Sequence, residues 1–399
     1  MDPIKVPDLA SPQFKANPYP FYARLRREAP VLRTTLPFWK TAWLVLRYDD
    51  VLAVLKDPRF GKDLSPAISR IPWLPRFVRR TTRSMLILDP PDHTRLRNLV
   101  LKAFTPRLIE RLRARIQSLC EELLDRAAAN APFELVRGYA LLVPLTIIAE
   151  LLGIPEQERH RLHAWLRRPI AAITSLDLLR SLPNIWLIIR QLERLFAQRR
   201  DDPRDDLVTA LVQVEEAGDK LSEDELLAMV YLLLIAGYDT TVYLISSGTL
   251  ALLQHPEQRE HFQQDPSVTG SAIEELLRFT SPLEIASHRF AREDLTIGSA
   301  TIPRGALVLA VLGSANRDES QFVNPNTLDI ARQPNNHLAF GQGAHFCLGA
   351  ALARLEGQIA LTTLFRRFPN LSLTQPPEPL RWRKSLFFRG LEELPVLLR

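Results

Sequence analysis

The segment that decides the fold of this chain reads Phe340-Gly341-Gln342-Gly343-Ala344-His345-Phe346-Cys347-Leu348-Gly349. It places one of the two cysteines in a glycine-rich loop, directly before a helical run from Ala350 to Glu356. The three glycines permit backbone conformations that a Cβ would forbid, and they let a flat group approach closely. Backbone N–H groups beside a helix N-terminus favour negative charge. We therefore expect the loop to stabilise Cys347 as a thiolate, which is a soft, electron-rich metal ligand.

The alternative is that Cys347 is an ordinary buried cysteine, since free cysteine is among the most buried residue types. That alternative explains neither the three glycines nor Phe340, which lies seven residues upstream. The pattern Phe-x-x-Gly-x-x-x-Cys-x-Gly resembles the haem-binding loop of the cytochrome P450 family. The resemblance implies haem b as the cofactor and Cys347 as the iron ligand, and a thiolate on haem iron favours cleavage of a bound O–O bond. It also implies that the haem contacts Phe340, Gly341, His345 and Gly349.

A second motif lies in a long apolar stretch and reads Ala236-Gly237-Tyr238-Asp239-Thr240-Thr241. A glycine inside a helix costs about 1 kcal/mol relative to alanine, so it usually has a reason. Ala236 and Gly237 would leave room for a flat group, and Asp239 and Thr240 would relay protons to a reduced oxygen species beside it. The alternative is a helix kink in which Thr240 bonds to a carbonyl one turn earlier. The stretch matches the oxygen-activation motif of the resembled family, which implies catalytic roles for Asp239 and Thr240 and haem contacts for Ala236 and Gly237.

Glu275 and Arg278 form a third motif, because their i, i+3 spacing places an acid and a base on one helix face. The alternative is a surface ion pair of little energetic value. The two residues resemble the Glu-x-x-Arg pair of the same family. The resemblance implies that Arg332 joins them and that the three hold the cysteine loop in place without taking part in catalysis.

Four cations are candidates for binding the haem propionates: His93, Arg97, Arg289 and His337. His93 and Arg97 are spaced i, i+4, so they project from one side of a helix. Each of the four taken alone is more often a solvated side chain. Together they fall where the resembled family keeps its propionate ligands, and arginine suits a carboxylate through its bidentate fork.

Composition excludes several other classes of protein. The 399 residues are 46% hydrophobic and 24% charged, as in a soluble globular protein. Two cysteines provide no disulfide framework, and the N-terminus carries no apolar signal segment, so we expect a cytoplasmic protein without a membrane anchor. The apolar stretch 228–253 contains Asp239, which would be costly in lipid, and indicates a core helix. A net charge of +6 permits nucleic-acid binding, but no nucleic-acid-binding motif is present.

The hydrophobic periodicity predicts a mainly α protein with small antiparallel sheets, and the resemblance implies the cytochrome P450 fold, with the haem buried between a long central helix and the cysteine loop. No linker or repeat divides the chain, so residues 1–399 are expected to form a single domain without a fused reductase. Helices are predicted at 18–29, 49–56, 106–128, 142–151, 222–253 and 271–279. Strands are predicted at 42–46 and on both sides of a turn within 301–309.

The resemblance implies a monomeric haem-dependent monooxygenase that inserts one atom of O2 into a lipophilic small molecule, such as a terpenoid, steroid, fatty acid or polyketide. Electrons would come from NAD(P)H through a separate ferredoxin or flavodoxin and its reductase. Basic side chains are candidates for docking this acidic partner, although ordinary surface charge explains them equally well: Arg95, Arg107, Arg111, Arg113, Arg115, Arg354, Arg366 and Arg367. A haem protein that only binds a gas is the second hypothesis, and it would not need Asp239 and Thr240.

The positions that the resemblance assigns to the substrate pocket are apolar: Ile71, Trp73, Leu74, Phe77, Leu232, Ile235, Ala236, Leu283, Ile285, Ala286 and Leu386. Glu284 and His288 are the charged or titratable side chains among them. A pocket of this composition predicts a lipophilic substrate but does not select one.

Overall fold

The structure, a computed structural model, describes residues 4–36, 41–63, 74–127, 132–171, 175–216, 219–374 and 380–399. Its α-helices in chain order are α1 (Pro12–Ala16), α2 (Tyr19–Glu28), α3 (Tyr48–Lys56), α4 (Arg76–Arg80), α5 (Asp92–Ala103), α6 (Pro106–Asp125), α7 (Leu142–Leu151), α8 (Glu156–Ala171), α9 (Ser175–Asp201), α10 (Leu207–Gln213), α11 (Glu223–Ala236), α12 (Asp239–Gln254), α13 (Pro256–Gln264), α14 (Thr269–Thr280), α15 (Leu312–Ala315) and α16 (Ala350–Arg367). A π-helical turn, Val136–Ala140, precedes α7.

The strands are short and belong to four small sheets. In chain order they are β1 (Val31–Thr34), β2 (Ala42–Val45), β3 (Phe60–Gly61), β4 (Pro132–Glu134), β5 (Glu215–Glu216), β6 (Asp219–Lys220), β7 (Arg289–Ala291), β8 (Leu295–Ile297), β9 (Ala300–Ile302), β10 (Leu307–Ala310), β11 (Ser372–Leu373) and β12 (Pro395–Leu397). The sheets have the strand orders β1-β2-β10-β7-β3, β11-β12-β4, β5-β6 and β8-β9.

The expectation of purely antiparallel sheets is wrong for one strand pair. β10 runs parallel to β2, with Leu307 opposite Ala42 and Ala310 opposite Val45. Parallel strands need a long crossover connection, and most of the chain lies between these two strands. β10 is buried along its whole length, which accounts for its uninterrupted apolar sequence.

The predicted long helix 222–253 is two helices, α11 and α12. Its start is as expected, because Ser222 and Glu225 form the capping box in which each side chain bonds to the backbone of the other residue. α11 ends at Ala236, and Gly237 closes it by donating its N–H to the Leu233 carbonyl at 3.0 Å. A Cβ at Gly237 would lie 2.6 Å from the Leu233 oxygen and 3.0 Å from Ile148, so this break requires glycine.

Within the described residues, one helical stretch, Glu223–Gln254, is long and apolar enough to cross a membrane. Of its most apolar 18-residue window, 72% is buried inside the structure. Such burial agrees with the expectation of a core helix.

The residues form two compact units. That residues 1–399 form a single domain stays a prediction. The first unit contains residues 1–60, 113–143 and 240–399. Its five-stranded sheet is covered on both faces, because Leu307 and Leu309 belong to one apolar cluster while Val308 and Ala310 belong to another. This unit contains the cysteine loop, the helix α14 that precedes it in the chain and the helix α16 that follows it.

The second unit contains residues 61–112 and 144–239 and is built mainly from helices. The 27-residue α9 packs against α8, α10, α11 and α4. Neither α8 nor α9 is among the helices predicted from the sequence. At their junction with α10, Asp206 caps α10 by accepting the Thr209 N–H at 2.8 Å and pairs with the buried Arg199.

Candidate active site

The cysteine loop, Phe340–Gly349, is held in one conformation by its own backbone. Cys347 donates its N–H to the Phe340 carbonyl at 3.0 Å, and Gly341 donates to the Leu338 carbonyl at 2.8 Å. Gly341 and Gly343 have φ values of 69° and 74°, which L side chains rarely adopt. The loop therefore needs glycine at both positions in order to present Cys347, whose side chain is exposed.

Packing around the loop gives a second reason for glycine at position 343 and a different one at position 349. A Cβ at Gly343 would lie 2.8 Å from the Leu55 carbonyl oxygen, so α3 presses closely on the loop there. Gly349 is the N-cap of α16, and a Cβ added to it would meet no protein atom within 4 Å. An accessible thiol beside such an open backbone at the start of an 18-residue helix is a donor set that fits a haem iron.

Cys120 does not offer the same chemistry. It is fully buried on α6, and burial raises the pKa of its thiol to about 12, although a hydrogen bond with Tyr139 works in the opposite direction. A thiol in this environment stays protonated and is a poor metal ligand. Cys347 is therefore the cysteine suited to bind a metal.

The structure brings Glu275, Arg278 and Arg332 together. Arg278 donates to both Glu275 oxygens at 2.7 Å, and Arg332 Nε donates to the same carboxylate at 3.1 Å. The two guanidinium groups also donate to backbone carbonyls between Asn316 and Thr327. Because the Arg278 and Glu275 side chains are fully buried, this cluster fixes the backbone that leads towards the cysteine loop.

His337 has a different environment from the one predicted for a propionate ligand. Its Nε2 contacts Glu274 Oε2 at 3.1 Å, and its Nδ1 accepts the N–H of Ala339 at 3.1 Å. Both ring nitrogens are therefore engaged by the protein. The side chain is 3% exposed, and with both nitrogens occupied it has no hydrogen-bonding atom left for a carboxylate ligand.

Glu274 binds a second cation besides His337. Arg354 Nε and Nη2 donate to its two oxygens at 2.7 and 2.8 Å. Burial alone would raise the pKa of Glu274, but the hydrogen bonds from Arg354 and His337 outweigh it and lower the pKa to about 2. Glu274 thus stays ionised throughout the physiological pH range.

The proposed proton-relay residues lie at the start of α12. Asp239 is its first residue and is 4% exposed, and Thr240 follows it with a half-buried side chain. One turn before, Ala236 at the end of α11 is exposed. A carboxyl and a hydroxyl therefore begin α12, and an accessible small side chain ends α11.

The remaining cationic candidates lie in two places. In the first unit, Arg289 lies on β7 and is 4% exposed, and His345 lies half-buried in the turn two residues before Cys347. In the second unit, His93 and Arg97 lie one turn apart on α5, with His93 buried and Arg97 half-buried.

Glu356 is a buried acid that sequence reasoning missed. It is 1% exposed on α16, and burial raises the pKa of its carboxyl to about 8, while a nearby Thr241 hydroxyl partly offsets the shift. Within the part of the chain that the structure describes, no donor reaches hydrogen-bonding geometry with either Glu356 oxygen. The signal in the sequence is an acid inside the apolar face of a helix, between Leu355 and Gly357.

Residues 157–390 match the family model described as "Cytochrome P450". The chain belongs to the cytochrome P450 family. It is 43% identical to "Polyketide biosynthesis cytochrome P450 PksS" of Bacillus subtilis (strain 168) over 97% of each chain. The solved PksS structure has a TM-score of 0.92, with 42% identity over 98% of this chain and 100% of that one. Alignment therefore extends over nearly the full length of this cytochrome P450.

The names of two further relatives mention chemically different compounds. "Vitamin D(3) 25-hydroxylase" of Pseudonocardia autotrophica is 42% identical over 98% of this chain and 96% of its own. A myxobacterial cytochrome P450 solved in complex with myristic acid has a TM-score of 0.92 and 41% identity, over 99% and 100% of the two chains. The present protein is a haem-dependent monooxygenase of the bacterial type, with the cytochrome P450 fold and haem as its cofactor.

The predicted substrate-contacting residues of this P450 differ in accessibility. In the second unit, Leu74 is buried, Phe77, Leu232 and Ile235 are half-buried, and Ile71 and Trp73 lie outside the described residues. In the first unit, Leu283 and Leu386 are half-buried and Ala286 is 6% exposed.

Ile285 does not suit a substrate contact. It is 0% exposed and belongs to the same core cluster as Leu44 and Leu309, so packing under the sheet occupies its side chain. Glu284 is equally buried, and its oxygens accept hydrogen bonds from Lys15 at 2.7 Å and from Tyr22. Glu284 is thus neutralised within the protein and supplies no charge to a substrate.

Most of the arginines considered for partner docking already pair with acids. Arg95 contacts Asp219 and Glu225, and Arg111 contacts Asp205, all within the second unit. In the first unit the pairs are Arg115 with Glu122, Arg354 with Glu274, Arg366 with Glu121, and Arg367 with Glu121 and Asp125. Pairing reduces the positive field that these side chains present to a partner.

Proposed function

We propose that Cys347 is the thiolate ligand that would hold the haem iron in this monooxygenase. The observation that carries the proposal is the exposed Cys347 thiol, held by its backbone bond to Phe340 in a loop with two positive-φ glycines. When bound, the haem supplies the activation of O2, of which one atom enters the substrate and the other leaves as water. The protein supplies the thiolate, a water-poor setting and protons.

We assign further haem contacts by position. In the first unit, Phe340, Gly341 and Gly349 contact the haem face, and Arg289 and His345 bind propionate. In the second unit, His93 and Arg97 bind propionate, and Ala236 and Gly237 contact the haem. His337 is left out of the propionate set, because Glu274 and Ala339 occupy both of its nitrogens.

Asp239 and Thr240 hold and transfer the protons that oxygen reduction consumes. The Thr240 hydroxyl would hold the proton to be donated, and the Asp239 carboxyl would restore it. Their positions at the helix break next to the exposed Ala236 support these roles.

Electrons arrive singly from NAD(P)H through a ferredoxin or flavodoxin and its reductase, and the P450 works as a cytoplasmic monomer. Bacterial P450s use ferredoxin-type partners. Exposed ion pairs such as Arg366–Glu121 exchange partners at little cost, because each is worth under about 1 kcal/mol. An acidic partner would therefore gain contacts with Arg366, Arg367 and the exposed Arg107.

The substrate is a neutral, lipophilic molecule of polyketide, steroid or fatty-acid type. Half-buried apolar side chains support this class: Phe77, Leu232 and Ile235 in the second unit, and Leu283 and Leu386 in the first. The buried Glu284–Lys15 pair leaves no anchoring charge at that position.

The test is a titration of the ferric protein with a macrolactone, a secosteroid and myristic acid, followed by turnover under isotopically labelled O2. We expect a low-spin to high-spin shift with at least one of the three compounds and one labelled oxygen atom in its product. A product that contains oxygen only from water would contradict the proposed function.

A further inference from the structure

Glu274 and Glu275 are adjacent on α14 but bind different partners. Glu275 binds Arg278 and Arg332, both through fully or almost fully buried contacts. Glu274 instead binds Arg354 on α16 and His337, with 28% of its side chain exposed. The second cluster, Glu274–Arg354–His337, has no role in the proposed reaction.

Charge in this cluster is balanced and fixed in place. The Glu274 carboxylate receives two hydrogen bonds from Arg354, a bidentate geometry that orients the guanidinium plane. His337 completes the cluster, with its Nδ1 accepting a backbone N–H and its Nε2 facing Glu274. Arg354 and Glu274 place one positive and one negative charge beside the cysteine loop.

The Arg354 cation is also directed at the loop itself. Its guanidinium carbon lies 4.6 Å from the centroid of the Phe340 ring, within the range of a cation–π contact. The carbonyl of the same Phe340 accepts the Cys347 N–H at 3.0 Å. The pKa of Arg354 is raised by its hydrogen bond with Glu274 and also by the charge of Cys347, which indicates an electrostatic interaction between Arg354 and the cysteine.

We propose that Arg354, positioned by Glu274, is the cation that sets the reduction potential of the haem through the Cys347 thiolate. The inference rests on the proposed role of Cys347 as iron ligand. A nearby positive charge stabilises the thiolate and lowers its donation to the iron, so it favours the one-electron reduced state. Glu274 limits this effect by partial neutralisation and holds the guanidinium over Phe340.

This role differs from the docking role considered for Arg354 from the sequence. A docking cation has to be released to the partner, whereas Arg354 is held bidentately by Glu274 and lies over the Phe340 ring. Removal of a docking cation changes the rate of electron transfer and its salt dependence but not the potential of the isolated haem protein.

Potentiometric titration of three purified holoproteins tests the proposal without a redox partner or turnover. We expect Arg354→Gln to lower the midpoint potential and Glu274→Gln to raise it, because the second variant leaves the cation unneutralised. The matched control is Arg367→Gln, since Arg367 lies on the same helix, is 37% exposed and also pairs with acids. It should leave the potential at the wild-type value.

Arg354→Lys separates the effect of charge on the potential from a purely structural effect. It keeps the charge but loses the bidentate geometry, so its potential should lie nearer to wild type than that of Arg354→Gln. Shifts of Arg354→Gln and Glu274→Gln in the same direction, or potentials equal to that of the control, would overturn the tuning role. If the reduced CO complex of the wild type also lacks a strongly red-shifted Soret band, the proposed function fails with it.

Discussion

Arg278 donates two hydrogen bonds of 2.7 Å to the Glu275 carboxylate, and both side chains are completely removed from solvent. A buried ion pair is not stabilising merely because it is charged, since desolvation can cancel the Coulomb attraction. Here, however, the guanidinium also donates to the Asn316 and Pro325 carbonyls at 2.8 Å. The pair therefore ties the backbone before the cysteine loop to α14.

Removing the charge of Glu275 alone should strongly destabilise the protein. Glu275→Gln leaves a buried guanidinium without its counter-charge, and we expect a loss of about 3–5 kcal/mol in the free energy of unfolding together with loss of bound haem. Thermal unfolding and the haem-to-protein absorbance ratio measure both effects. The control is Glu28→Gln, which breaks an exposed pair with Arg24 of the same 2.7 Å length and should cost less than about 1 kcal/mol. Equal losses in the two variants would contradict the role given to burial.

Gly343→Ala should disrupt the cysteine loop. The φ of 74° disfavours any Cβ, and the added carbon would collide with the Leu55 carbonyl at 2.8 Å. Gly298→Ala is the matched control, because Gly298 has a φ of 57° but no atom within 4 Å of the added Cβ. We expect roughly 1 kcal/mol of destabilisation in the control and several-fold lower haem occupancy in Gly343→Ala alone. Full haem occupancy in both variants would show that the contact with α3 does not matter.

Glu356→Gln should stabilise the protein in a pH-dependent way. The folded pKa of about 8 lies above the ordinary value of 4.5, so the folded state binds more protons than the unfolded state in that window. Wild-type stability therefore falls as pH rises from about 4.5 to about 8, whereas the glutamine cannot ionise. We expect no gain at pH 4 and roughly 2–4 kcal/mol at pH 8 in urea unfolding. The exposed Glu257→Gln should show no such trend, and a pH-independent gain in Glu356→Gln would refute the argument.

Thr240→Ala should uncouple NAD(P)H consumption from product formation. Without the hydroxyl, proton delivery is no longer controlled, and the electrons from NAD(P)H reduce O2 to hydrogen peroxide. The ratio of product formed to NAD(P)H consumed should therefore fall by about tenfold or more. Peroxide and product assays during turnover measure this ratio. Thr249→Val is the control, since its hydroxyl is bonded to the Ile245 carbonyl at 2.8 Å and is fully buried. Unchanged coupling in Thr240→Ala would contradict the proton-relay role of its hydroxyl.

Local sequence signals predict much of this fold. The capping box at Ser222 begins α11 as expected, and the predicted helix 142–151 has the observed bounds of α7. The split between α11 and α12 follows from Gly237, whose packing against Ile148 carries no local signal. Parallel pairing of β2 with β10 is likewise set by residues far apart in the chain.

The candidate site divides in the same way. The cysteine loop and the Glu275–Arg278 pair are motifs within ten residues and could be predicted from the sequence. The bond between Glu274 and Arg354 spans 80 residues, and the burial of Glu356 depends on tertiary packing. The position of His337 before the loop favours a haem ligand, whereas its partner Glu274 lies on α14, 63 residues away in the chain.

The absorption spectrum of the dithionite-reduced protein with carbon monoxide tests the central claim most directly. We predict a Soret band shifted far to the red in the wild type and in Cys120→Ala, because both keep the Cys347 thiolate that would bind the iron. Cys347→His should bind haem and place the band at the ordinary histidine–haem position. A histidine-type band in the wild type, or a red-shifted band that survives Cys347→His, would contradict the assignment of Cys347 as the haem ligand.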